Sequence, residues 1–301
     1  MPAREGGRER KCARMGATHL RHGPPWLLQA AYAVIVAAAA LLWLPSGLAH
    51  AQSTLRAHYR LSLAGIGIGQ GDWSVDIDKD QYAAKSNGQF IGIWRVLLGP
   101  DVSAATHGTA SKGNFMPTSY VANFSSDDDI DDVRMTFRDG IVSEVEAKPP
   151  IPASPDRVPV TATDLRGAID PLTAGLISVP GAGDVLAPAA CQHTLPIFDG
   201  THRFDIDLSF KRMDKIKVET GYQGPVVVCA MSYRPVAGYD TGAFRVNYLK
   251  KTREMEMWFA PIAGSRLLAM SHILIPTMLG IAAIKPTRFE ATTRQLPYRE
   301  R

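Results

Sequence analysis

The sequence lacks most of the patterns that announce chemistry. Three cysteines occur in 301 residues. Cys12 precedes a long apolar run, so Cys191 and Cys229 are the pair left for the body of the chain. No G-x-S-x-G elbow and no H-E-x-x-H occurs, which removes two recognisable hydrolase signatures. No adjacent arginine pair stands before the apolar run, which argues against twin-arginine export. No cysteine comes directly after that run, which argues against a lipid-anchored lipoprotein. No repeat of fixed period is present. Charge of one sign is missing too. Residues 1–51 hold six of the 33 basic and two of the 29 acidic residues, so residues 52–301 carry 27 of each. A nucleic-acid partner needs a basic face, and this balance offers none.

What is present begins with an export signal. Arg4, Arg8, Arg10, Lys11, Arg14 and Arg21 precede an apolar stretch, Trp26 to Leu44, broken only by Gln29. Pro45 and Gly47 then lead to Ala49-His50-Ala51, with small residues where a signal peptidase reads them. Met15 offers an alternative start. The expectation is a signal peptide over residues 1–51 and a periplasmic protein over 52–301, with membrane contact through the signal segment. The competing reading is an uncleaved anchor in the inner membrane, since about 20 apolar residues can span a bilayer.

The remainder reads as one β-rich exported domain. Trp73, Val75 and Ile77 alternate with Ser74, Asp76 and Asp78, the period-two mark of a half-buried strand. Gly65, Gly67 and Gly69 precede this strand; a dinucleotide loop would have to open a helix, so they read as a hairpin turn or bulge. Further strands are expected over 82–89, 101–112, 117–125, 133–137 and 141–147, with a turn at Asp139-Gly140. A proline-rich loop over 148–160 separates two β-halves. Asp170-Pro171 has the chemistry of a helix start, predicting a helix over 172–178. A second all-β run is expected from Cys191 to about Thr293.

Cys191 to Tyr239 organises that second half. A hairpin turning at Asp199-Gly200 is followed by a strand returning Cys229 towards Cys191. In an oxidising compartment a Cys191–Cys229 disulfide is the expected state, with two buried free thiols as the alternative. Between Thr201 and Phe210, His202, Phe204, Ile206, Leu208 and Phe210 should face the core, and Arg203, Asp205, Asp207 and Ser209 the solvent.

Several constellations fall short of a site. His193, His202 and Asp199 supply the residue types zinc accepts, but a site needs three or four convergent groups. Asp127 to Asp132 begins like a calcium loop and lacks its glycine and its closing glutamate. Gly108 to Gly113 resembles a phosphate loop in composition only. Trp73, Phe90, Ile93, Trp94 and Leu97 read either as ordinary core or as the lining of an apolar cavity able to hold an acyl chain.

Asp170-Pro171-Leu172, Cys191, Phe198-Asp199-Gly200, Arg203-Phe204-Asp205, Tyr222-x-Gly224-Pro225, Val228-Cys229, Tyr233-x-Pro235-Val236-Ala237-Gly238 and Met257-Trp258-x-x-Pro261 together resemble the bacterial exported family called domain of unknown function (DUF) 3108. The resemblance implies a mainly β fold similar to lipoprotein carriers: a strongly curved antiparallel sheet, or half-barrel, with one or two short helices. It implies no activity. The functional expectation is a non-enzymatic envelope protein, without catalytic residue, metal or cofactor, that binds an apolar or lipid ligand. The alternative is a structural or assembly factor that contacts an envelope protein and holds no small molecule.

Overall fold

The computed structural model describes residues 50–78, 80–92, 94–95, 101–111, 113–125, 130–151 and 154–296. Seven strands run in simple succession: β1 (His50–Leu63), β2 (Ile66–Asp78), β3 (Gln81–Phe90), β4 (Asp101–Ser111), β5 (Asn114–Ser125), β6 (Ile130–Arg138) and β7 (Ile141–Lys148). A long connection leads to β8 (Leu176–Ser178) and β9 (Thr194–Phe198). Then come β10 (Arg203–Lys217), the two-residue β11 (Thr220–Gly221), β12 (Gln223–Ala237), helix α1 (Phe244–Lys251), β13 (Met255–Pro261), β14 (Leu267–Thr277) and β15 (Gly280–Leu296). They form one sheet in the order β7-β6-β5-β4-β3-β2-β1-β15-β14-β13-β12-β10-β9, with every pairing on that path antiparallel.

The first half keeps closely to its side-chain alternation. In β2, Trp73, Val75 and Ile77 are buried while Asp72 and Asp78 are exposed. The β6–β7 turn has Asp139 at φ 52° and Gly140 at φ 71°. Two successive positive φ values give the turn whose twist matches its flanking strands, and they explain the Asp-Gly pair.

Three apolar cores share the sheet. One lies on one face between β1–β3, β15 and the middle of β12–β14, and includes Leu55, Trp73, Val75, Val226, Val228 and Phe289. A second lies on the other face of β12–β14, under the chain from Ala174 to Ile197. Strand β12 is therefore buried on both faces: Val226 and Val228 enter the first core, Val227, Cys229 and Met231 the second. This accounts for its unbroken apolar run. The third joins β4–β7 to Ala168 and Phe198. All three lie within the compact unit Ala49–Arg301.

Four sequence expectations are corrected. The helix expected over 172–178 is a single 3-10 turn, Thr173–Gly175, after which Leu176–Ser178 pair with Leu267–Ala269 of β14. Ladder pairing overrides the helical cap signal. Residues 244–251, expected in an all-β run, form α1. None of α1 is fully buried, so it lacks the one-sided apolar stripe that reveals a helix in sequence. Phe210, expected inside, is 40% exposed, and Asp205, expected outside, is buried against Arg203. Asp205 is held there by Arg203 and by Arg234 (2.7 Å), and further along a bulge leaves Lys211 unpaired between Phe210 and Arg212 and reverses the faces of the residues after it. Ile206 and Leu208 accordingly enter the second core, whereas Ile216 enters the first. His202, expected on the apolar face, is half-exposed beside Asp199.

Candidate ligand cavity and the acid beside it

The sheet's two edges are β7 and β9, and among the described residues they do not pair with each other. Residues 165–169 of the long connection fill the gap. On one side Leu165 accepts from the Val142 N–H (3.2 Å), and Gly167 donates to Gly140 (2.7 Å). On the other, Ile169 donates to Pro196 (2.8 Å) and accepts from Phe198 (2.9 Å). The connecting segment thus does the work of a closing strand.

It carries Asp170 into the interior, where that residue is fully buried. Asp170 Oδ1 accepts from the backbone N–H groups of Leu172 (2.9 Å) and Thr173 (3.0 Å), the capping role its sequence position implies. Oδ2 accepts from the Thr173 hydroxyl (2.5 Å) and contacts the Thr106 hydroxyl of β4 (2.9 Å). Thr106 also donates to the Ser119 carbonyl (3.0 Å), and the Tyr82 hydroxyl contacts Thr173 Oγ1 (2.6 Å). Burial raises the Asp170 pKa above the ordinary carboxyl value, against the opposing pull of the hydrogen bonds from Thr173, Thr106 and Leu172. Burial likewise pushes the hydroxyls of Tyr82 and Tyr120 up, with the nearby Asp170 charge adding to it. The single Thr106 hydroxyl proton has two acceptors, Asp170 Oδ2 and the Ser119 carbonyl, and can serve only one of them at a time.

Next to this node, an apolar cavity of about 220 Å³ is lined by Tyr59, Leu61, Trp73, Leu172, Met270 and Ile284, among others. Gly175 lets the connection approach: a Cβ there would lie 2.8 Å from Trp73 Cη2. Tyr59 donates its hydroxyl to the Met270 carbonyl (2.7 Å). Among the described residues, the buried Trp73 Nε1–H has no hydrogen-bond partner.

The expected cavity set is only partly brought together. Trp73 lines the cavity. Phe90 flanks it, since its ring and the Leu61 side chain both pack over Gly69. Trp94 is half-buried, helical, and not part of the lining. Ile93 and Leu97 lie outside the described residues. Tyr59, Met270 and Ile284 were missed; they come from β1, β14 and β15, which only the sheet order makes neighbours.

Cys191 and Cys229 are joined by a disulfide with Cα atoms 5.4 Å apart, both sulfurs in the second core. Among the described residues, no group of three or more His, Cys, Asp and Glu is placed to hold a metal. Asp199 spends its carboxylate on the hairpin turn, accepting from the N–H groups of Thr201 and His202. Burial opposes its ionisation, and the hydrogen bonds from the His202 side chain and from the His202 and Thr201 N–H groups outweigh burial to hold it below the ordinary value. Asp127 to Asp129 of the calcium-like run lie outside the described residues, and Asp131 and Asp132 sit at the start of β6.

A second polar node escaped sequence reading. Glu256 accepts from Arg212 (2.7 and 3.1 Å) and the Trp258 indole (2.7 Å), and lies 3.0 Å from Lys211. Burial works against its charge, but these partners win and hold it at about 2. His272 packs against Trp258, ring centroids 4.9 Å apart, and burial lowers its pKa to about 4.

These features define a mainly β class of protein, built on one large antiparallel sheet whose edge strands do not pair into a closed barrel among the described residues. Within it, the family described as "Protein of unknown function (DUF3108)" has a model that matches residues 57–281, and the chain belongs to that family. A solved structure of a β-barrel-like protein of domain of unknown function DUF1849 from Brucella abortus is similar at 10% identity, with a TM-score of 0.39. The match covers 81% of this chain and 98% of that one. No curated protein matches the chain.

Proposed function

We propose that the protein is a non-enzymatic component of the cell envelope, exported to the periplasm, that shelters part of an apolar ligand such as an acyl chain. The observation behind this reading is the cavity at Trp73: apolar walls from β1, β2, β14 and β15, with a buried indole N–H left unpartnered among the described residues. At about 220 Å³ it accepts a segment of a lipid rather than a whole one, because sites for complete ligands are roughly 300–1,000 Å³. Support for a non-enzymatic role comes from Asp170, whose oxygens are engaged by surrounding hydroxyls and N–H groups instead of facing a cleft.

The test uses a brominated fatty acid, whose bromines quench indole fluorescence at contact. Residues 49–301 should show saturable quenching, and Trp73→Phe should remove most of it. Met270→Trp, which fills the cavity, should abolish binding. Absence of saturable quenching, or quenching unchanged in Trp73→Phe, overturns the reading.

One feature favours the alternative of a protein-contacting factor. A groove of about 840 Å³ runs along the β7 edge, lined by Val145, Ala147, Ile151, Leu165 and Phe198. An edge strand beside an apolar groove can accept an extended peptide.

A further inference from the structure

The turn between β1 and β2, at Ala64-Gly65, lies against the turn between β14 and β15. Ala64 donates its N–H to the Ile281 carbonyl (3.0 Å), and a Cβ on Gly280 would lie 2.8 Å from that of Ala64. Both turns carry large apolar side chains in the open: Ile66 is 61% exposed, Met278 74%, Leu279 73% and Ile281 52%. Ile91 joins them, 42% exposed, its N–H bonded to the Ile68 carbonyl of β2. Such a cluster is not what a sheet end facing only water would display. Helix α1 stands beside it: the Tyr248 hydroxyl donates to the carbonyl of Pro276 (3.3 Å), whose β-partner is Ile281. Phe244, one turn earlier and stacked near Tyr248, is 65% exposed.

The turns and adjoining strand ends that carry this cluster contribute cations and no carboxylate; at the same sheet end Asp101 of β4 is paired with Arg95 (3.1 Å), and Asp131 and Asp132 stand at the start of β6, four strands from β2. No Asp or Glu occurs from Ala57 to Gly71, from Gln81 to Arg95, from Thr241 to Arg253, or from Met257 to Phe289. Arg245, Lys250 and Lys251 sit on α1. Arg60 and Lys285 face each other across β1 and β15, although like charges placed so repel. None of these five has an ion-pair partner among the described residues. Residues 52–301 taken together carry equal numbers of basic and acidic residues, so this is a local concentration.

We infer that this end of the sheet docks on an anionic phospholipid surface: the two turns enter the headgroup boundary, and α1, Arg60 and Lys285 meet the lipid phosphates. Apolar tips flanked by unpaired cations are the combination that holds a protein in a membrane interface without spanning it. The cavity lies next to this end: Leu61 and Ile284, two of its wall residues, are cross-strand partners, and Ile281 lies on the same strand as Ile284. Docking extends the sequence expectation, which placed membrane contact in the signal segment. It does not depend on what the cavity holds.

The experiment is co-sedimentation of residues 49–301, which form a compact unit without the leader, with vesicles of phosphatidylcholine alone or mixed with phosphatidylglycerol. Binding is expected to the mixed vesicles, weakening as salt rises. Met278→Glu with Leu279→Glu should lower the partition coefficient about tenfold or more, and Lys250→Glu with Lys251→Glu should do the same while removing most of the salt dependence. All four positions are exposed, and unchanged circular dichroism and thermal midpoint serve as the folding control. Wild-type protein left in the supernatant overturns the inference, as does binding unaffected by both double variants. So does self-association in place of vesicle binding, seen by ultracentrifugation and lost in Met278→Glu with Leu279→Glu; the patch would then be an interface between copies. Fatty-acid quenching at Trp73 is read separately, so failure of one leaves the other standing.

Discussion

Reducing the Cys191–Cys229 bond should cost the fold about 4 kcal/mol. The two cysteines are 38 residues apart, and the chain-entropy estimate for closing a loop of that size gives this figure near 25 °C. Reduction is a cleaner perturbation than substitution. Both sulfurs are fully buried in the second core, so replacing them with alanine adds the loss of packed volume to the loss of the cross-link. The assay is urea unfolding of residues 49–301, oxidised and reduced, monitored by tryptophan fluorescence and by far-UV circular dichroism to check that the transitions coincide. The reduced protein should unfold at a lower urea concentration, with a free-energy difference of about 3–5 kcal/mol. Equal midpoints within about 0.5 kcal/mol would refute the reasoning, because that difference is far below the loop-closure value. Alkylation of both thiols in the untreated native protein would refute the bond itself.

Asp170→Asn should be mild, within about 1 kcal/mol, because an amide can accept at Oδ1 and donate towards Thr106 as a protonated carboxyl does; Asp170→Ala, which orphans buried donors, should cost about 3 kcal/mol or more in the same unfolding assay. Acid should destabilise the fold in two stages. His272, at about 4 when folded against an ordinary 6.5, takes up a proton more readily in the unfolded chain, so stability falls as pH drops from 6.5 to 4, by at most about 3 kcal/mol. Glu256, at about 2 against 4.5, adds a loss between 4.5 and 2, whereas Asp170, with its pKa raised, contributes most at low pH and less as pH rises. His272→Gln should flatten the urea-midpoint profile between pH 6.5 and 4; an unchanged slope would exclude His272 as the cause.

Local pattern carried the strands well and the long-range geometry poorly. The alternation at Trp73-Val75-Ile77 and the Asp139-Gly140 and Asp199-Gly200 turns were legible because a strand's faces and a turn's φ angles depend on near neighbours. The bulge at Lys211 was not, since one unpaired residue leaves no mark in composition yet reverses every side chain after it. Asp170 announced a cap, but whether a helix or a ladder came next depended on β14, almost a hundred residues away. Of the cavity, Trp73 was visible as a large apolar side chain on an amphipathic strand. Tyr59, Met270 and Ile284 needed the pairing of β1 with β15 to become its neighbours.

That pairing has a consequence for how the chain tolerates shortening. In most sheets a terminal strand lies at a margin, and trimming it leaves the remainder whole. Here the first and last strands meet in the middle, fourteen registered pairs from His50–Leu296 to Leu63–Ala282, while both margins come from mid-chain. Deleting β15 would therefore split the sheet between β1 and β14, leaving its two parts held together by the 165–169 connection between β7 and β9 and by the packing of the first and third cores.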